Sequence, residues 1–241
     1  MKKVWFLVLL LVVVLATAAS AYGLTLLQED FESGQNGWIA VNGSYTAAAA
    51  PTPHGQSFDM ADGATTRIAK AFTPGTATTI TISYNFYDMF GNSNTSRTYG
   101  GFAQNAASPV VNGALARIGK NNLATYQFQY YTTGLQSVNT AVALSAGWHS
   151  VTLTMDTVAK TIAWQLDAQS GTVTNANIAL PNAVVLGNNY SNGAAGAPDT
   201  SVFYDDVVVT TPVQVTPEPS SLLALGTGLL GLVGVVRKRH A

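Results

Sequence analysis

The chain of 241 residues has no cysteine. That absence rules out disulfides, thiolate metal sites and cysteine nucleophiles together, while leaving export open. Charge is nearly as scarce. Only 10% of residues are Asp, Glu, Lys or Arg, and glutamate occurs only at Glu29, Glu32 and Glu218. Five of the eleven basic residues (Lys2, Lys3, Arg237, Lys238 and Arg239) sit at the two ends. Tyr22–Pro219 therefore holds six basic residues against all twelve acidic ones, a formal charge of −6. Such a stretch gains nothing from neutralising phosphates, which argues against nucleic acid as a partner. Also missing are a Gly-x-Ser-x-Gly turn, a phosphate loop, a dinucleotide fingerprint, an internal repeat and any convincing helical periodicity between the ends.

What the ends do contain is hydrophobic and bounded by charge. Lys2 and Lys3 precede the unbroken apolar run Val4–Leu15, and Ala19-Ser20-Ala21 follows with small residues at −3 and −1. Residues 1–21 read as a secretory signal, with Ala19 and Ala21 addressing signal peptidase and the mature chain starting at Tyr22. Near the other end, Thr216-Pro217-Glu218-Pro219-Ser220 introduces the apolar run Ser221–Val236, which stops at Arg237-Lys238-Arg239. As a helix that run reaches about 24 Å, enough to cross a bilayer core of about 30 Å with snorkelling arginines. The basic cluster would stay cytoplasmic. Pro217 and Pro219 keep their segment extended and accessible, and Glu218 resists entry into lipid.

Pro-Glu-Pro, a short Gly/Leu/Val helix and an Arg-rich stop together resemble the PEP-CTERM sorting domain of Gram-negative bacteria. The resemblance covers residues 217–241 and implies an exosortase as partner, with processing near Pro217-Glu218-Pro219. It also implies a transient inner-membrane intermediate and final residence at the cell surface or in the extracellular matrix, in association with exopolysaccharide and biofilm.

Between the ends, residues 22–210 read as one all-β domain, with 211–216 as linker. Ile80, Ile82, Tyr84 and Phe86 alternate with Thr79, Thr81, Ser83, Asn85 and Tyr87; Tyr126, Phe128 and Tyr130 alternate with Gln127, Gln129 and Tyr131. Val151, Leu153 and Met155 lead through a turn at Asp156–Lys160 into Ile162, Trp164 and Leu166, a hairpin. About a dozen such strands, apolar on one face and polar on the other, predict an antiparallel two-sheet sandwich.

The landmarks Asp30-Phe31-Glu32-Ser33-Gly34 with Gly37-Trp38, then Gly147-Trp148-His149-Ser150-Val151, then Tyr204-Asp205-Asp206-Val207-Val208-Val209 resemble the concanavalin A-like, laminin-G-like jelly roll. The resemblance implies that the first and last strands lie side by side. It further implies a structural calcium at that junction, held by Asp30 and Glu32 with Asp205 or Asp206; alternation alone does not decide which of these two aspartates points inward. Glucanases of this fold use a Glu-x-Asp-x-x-Glu strand. The chain lacks it, and glycoside hydrolysis is the least favoured function. Two histidines in the domain, His54 in a loop and His149 at a strand start, do not make a zinc site. A glycan platform is expected from Asn85, Tyr87, Gln127, Gln129 and Tyr131, provided that their two strands share a sheet. The leading expectation is a non-enzymatic structural or adhesive surface protein; the alternative is a carbohydrate-binding, lectin-like module.

Overall fold

The computed structural model describes residues 23–34, 36–42, 47–59, 67–91, 97–107, 113–121, 123–188 and 202–212. The expected signal peptide, with Ala19 and Ala21, lies outside the described residues. So do most of the linker and the sorting tail, with Pro217, Glu218, Pro219, the apolar run and Arg237, Lys238 and Arg239.

Fifteen strands follow one another: β1 Leu24–Glu29, β2 Ile39–Asn42, β3 Ala47–Ala49, β4 Gln56–Asp59, β5 Arg67–Ala71, β6 Thr79–Asp88, β7 Arg97–Ala103, β8 Ala116–Asn121, β9 Thr125–Tyr131, β10 Leu135–Ala143, β11 Gly147–Asp156, β12 Thr161–Leu166, β13 Gln169–Thr174, β14 Ala183–Asn188 and β15 Val202–Thr211. Among the described residues there is no helix. The strands form two sheets with every pairing antiparallel. One runs β13-β12-β11-β6-β15-β4-β3, with β1 also on β15; the other runs β10-β9-β8-β7-β14-β5-β2. The chain is thus an all-β jelly-roll sandwich, and its first and last strands do pair, Glu29 opposite Val207 and Thr25 opposite Thr210.

Period-two sequence explains the eight-stranded sheet well. Along β6 exposure alternates strictly, with Ile80, Ile82, Tyr84 and Phe86 buried and the intervening Thr, Ser, Asn and Tyr half-buried. Val151, Leu153 and Met155 of β11 and Ile162, Trp164 and Leu166 of β12 repeat the pattern, and register sets Leu153 opposite Trp164. These side chains meet Phe102, Ile118, Phe128, Val184 and Leu186 of the other sheet in one core. Each fully buried residue of this size contributes about 1.5–3 kcal/mol. The β11–β12 turn is held by Asp156, whose Oδ1 accepts the Val158 and Ala159 amides at 2.9 and 2.7 Å. The Ala159 N–H is the main cause that lowers the Asp156 carboxyl below its ordinary value.

Tyr84 ties the layers together. Its hydroxyl crosses the core to donate to Gly100 O (2.7 Å) and Ile118 O (3.1 Å) of the seven-stranded sheet. Glycine is required there, since a Cβ on Gly100 would sit 2.6 Å from the Tyr84 ring.

The seven-stranded sheet departs from simple alternation because both of its faces are closed. Ala69, Ala103, Leu115, Ala183 and Val185 form a second cluster on its outer side. This is why β14 reads as a continuous apolar run.

The opening landmark is anchored by Glu29, which is 3% exposed. Its carboxylate accepts the Phe31 amide (3.0 Å), the Asn36 amide group (3.1 Å), the Trp38 indole N–H (3.1 Å) and the Lys70 ammonium (3.1 Å). Four donors satisfy a carboxylate that would otherwise be costly to bury.

Candidate functional site

The most concentrated polar chemistry on the outside of the eight-stranded sheet lies where β4 meets β15. Consecutive strand residues normally face opposite sides. Here β15 carries a bulge against β6 between Asp205 and Val208, and Asp206 adopts φ 51°. One extra residue in the bulge turns both aspartates outward, so the choice between them that alternation left open is answered by both. His54 Nδ1 lies 3.1 Å from Asp205 Oδ2 and 3.3 Å from Asp206 Oδ2. Ser57 donates to Asp205 (3.1 Å) and Asn85 to Asp206 (2.9 Å). Asp205 is buried, Asp206 exposed. Burial is the main cause that pushes the Asp205 carboxyl up, and the neighbouring Asp206 carboxylate adds to it. The His54 ring packs on Trp148 at 3.9 Å, and Trp148 and Phe203 flank Tyr87 edge-on at 5.4 and 6.3 Å.

The calcium quartet expected from sequence is not what assembles here. Among the described residues, the groups placed to share one cation are His54, Asp205 and Asp206. Asp30 accepts the Glu32 amide (3.2 Å), and Glu32 accepts the Gln56 amide (2.7 Å). Both carboxylates thus organise backbone instead of converging on Asp205. A ring nitrogen with two carboxylates does not fit Ca²⁺, which takes six to eight oxygens. Three groups are also one short of a closed zinc site. His54, Ser57, Asn85 and the Asp206 amide already supply partners to the two acids.

The expected glycan platform is divided by the topology. Asn85 and Tyr87 lie on β6 in the eight-stranded sheet, whereas Gln127, Gln129 and Tyr131 lie on β9 in the other. The condition that both strands share a sheet is not met. Gln127 and Gln129 are each 3% exposed. Gln129 accepts from Arg117 Nε (2.9 Å) and donates to Ser137 (2.9 Å); Gln127 donates to Thr125 Oγ1 (2.9 Å). Fully buried Arg117 lies over the Tyr99 ring at 4.2 Å. These amides hold a buried arginine and their own strand, and they are not presented to a ligand. Tyr131, partly buried, donates to Thr133 O at 3.3 Å.

A buried polar chain at one end of the core escaped sequence reasoning. Asp88, wholly buried, receives the Lys120 ammonium at 3.0 Å, the Tyr126 hydroxyl at 3.0 Å and the Phe90 and Gly91 amides. Tyr126 reaches His149 Nε2 (3.1 Å), and His149 Nδ1 meets Asp167 (2.8 Å). Burial, and next the Asp88 charge, raise the Tyr126 hydroxyl far above the ordinary tyrosine value, so it stays protonated and donates to Asp88. Asp88 ends an otherwise apolar alternation, which is a visible signal of a special position; nothing local links it to Lys120.

Two antiparallel sheets in this arrangement define a jelly-roll sandwich, and comparisons with known proteins agree on the fold. A sialidase superposes with a TM-score of 0.53 at 11% identity over 78% of this chain and 18% of its own, so the chain spans under a fifth of that protein. Domain 4 of AbnA, a GH43 extracellular arabinanase from Geobacillus stearothermophilus solved with arabinotriose, gives 0.52 at 11% identity, over 84% of this chain and 98% of that domain. The lectin UEA-II complexed with galactose gives 0.51 at 11% identity over 80% and 99%. At such identities the likeness is one of fold. No curated protein matches the chain in sequence. Residues 215–239 match the PEP-CTERM protein-sorting motif, so the chain carries an exosortase sorting signal behind the sandwich.

Proposed function

We propose that the protein is exported, processed by an exosortase and displayed at the surface or in the matrix of a Gram-negative bacterium. There its sandwich acts as a non-enzymatic adhesive element that engages polysaccharide. The carrying observation is the union of a PEP-CTERM motif at 215–239 with a lectin-type jelly roll in one chain. The apolar run after Pro219 holds the precursor in the inner membrane until the protease acts near Pro217-Glu218-Pro219.

The state of the carboxylates supports a role without catalysis. Glycoside hydrolysis needs an acid and a second carboxyl across a ligand groove. Glu29 is buried beneath Trp38 and Lys70, and Glu32 caps the Gln56 amide. Solved structures of this fold hold arabinotriose and galactose, which supports a polysaccharide partner. A self-sufficient carbohydrate-binding module is the second reading, favoured by the half-buried Asn85 and Tyr87 on an outer face.

The test is Glu218→Ala in the producing cell, with mass spectrometry of the mature C-terminus. The wild type should end near Pro217–Pro219, while the variant should accumulate in the inner membrane with Ala241 retained. Wild-type protein that keeps Ala241, or a variant processed at the normal rate, would overturn the reading.

A further inference from the structure

The outer face of the eight-stranded sheet carries an ordered array of uncharged hydroxyl and amide side chains. Register places Thr172, Ala163, Thr154, Thr81, Thr210 and Thr25 opposite one another across six consecutive strands. At about 4.8 Å per strand this row is about 24 Å long. The neighbouring row is built the same way from Ser170, Gln165, Thr152 and Ser83, ending on Val208 and Gln28. None of the twelve side chains is ionised, and all are half-buried or exposed. Thr81 and Thr154 hydrogen-bond each other at 2.9 Å, which holds their methyl groups and hydroxyls in fixed orientation. Ala163 leaves a gap in the array. The result is a depression of about 270 Å³ walled by Thr152, Thr154, Gln165, Ser170 and Thr172. That is just below the range of about 300–1,000 Å³ for drug-sized ligands, and suits one sugar ring of a longer chain.

Resting on the adhesive reading above, we infer that this face binds a neutral polysaccharide, with one sugar ring seated in the depression at Ala163. The charge pattern selects this occupant. Tyr22–Pro219 carries a formal charge of −6, which repels an acidic polymer, and the two rows hold no cation to recover one. Nucleic acid is excluded by the same logic. A second copy of the chain is a poor fit, because stable protein interfaces have an apolar core with aromatic anchors, and these rows offer small aliphatic groups, hydroxyls and amides with no aromatic ring. A neutral polyol matches what is there. Each Thr or Ser hydroxyl can donate and accept, and Thr methyls cover C–H surface. At the end of the same face stand Tyr87 and Trp148, partly exposed, as an aromatic boundary to the array.

The test uses the full chain incubated with insoluble cellulose, β-1,3-glucan and starch, and with alginate beads, in low and high salt. Wild type should be retained by at least one neutral polysaccharide, equally in both salts because no ion pair is involved, and not by alginate. Ala163→Arg fills the depression and should cut retention about tenfold, equivalent to about 1.4 kcal/mol. If circular dichroism shows that variant misfolded, Ser170→Arg with Thr172→Arg, both at exposed positions, replaces it. Retention by no neutral polysaccharide would overturn this inference together with the adhesive reading. Retention that both variants leave unchanged would overturn this face alone and leave that reading standing. Equal retention by alginate, abolished by salt, would overturn the choice of a neutral ligand.

Discussion

Replacing Lys120 with methionine would remove the cation that lies 3.0 Å from Asp88 while keeping most of the side chain's volume. Both residues are out of contact with solvent, Lys120 at 1% and Asp88 at 0% exposure. After the change, Asp88 keeps its bonds from Tyr126, Phe90 and Gly91 but loses its one cationic partner among the described residues. Breaking one side of such a buried pair costs about 3–5 kcal/mol. That is a large share of a typical domain's stability of about 5–15 kcal/mol. For a domain of this size each kcal/mol lowers Tm by about 2–4 °C, so the variant should melt about 6–20 °C below wild type. The assay is thermal and guanidinium unfolding followed by the fluorescence of the buried Trp38 and Trp164. Adding Asp88→Asn to Lys120→Met removes the stranded charge, so the double variant should be less destabilised than the sum of the singles by about 0.5–3 kcal/mol. A cost for Lys120→Met under about 1 kcal/mol, or strict additivity in the double variant, would refute the view that this pair is a desolvated, mutually dependent unit.

Asp205 predicts a pH dependence. Its folded value is raised by burial, so between the ordinary aspartate value of about 3.9 and that raised value the folded protein holds a proton the unfolded chain has released. Rising pH across that window therefore costs stability. Asp205→Asn, which retains an acceptor for the Asp206 amide, should flatten this segment of the stability–pH curve; an unchanged slope would count against the argument. The donor set at His54, Asp205 and Asp206 is unsuited to calcium, so a calcium chelator should leave Tm unchanged, and a drop on chelation would show that a calcium ion is held after all.

Sequence alone determined the class of fold and the address of the chain. Alternation along Thr79–Asp88 and through the Val151–Leu166 hairpin forces one face of each strand inward, and strand period is a local property that needs no partner to be read. Motif order at 215–239 is likewise local. What the sequence withheld was most pairings between distant strands; that of β1 with β15 followed from the resemblance of the opening and closing landmarks. Nothing near residue 85 or residue 127 says that β6 and β9 belong to different sheets, so a shared platform could be stated only on the condition that they do not. The bulge at Asp205 and Asp206 reverses one side chain, and only the tertiary setting brings His54 from a loop over 150 positions away to join them. The same holds for the hydroxyl array: each Thr was visible as a polar strand position, but its alignment across six strands is set by register, which depends on the packing of the whole sandwich.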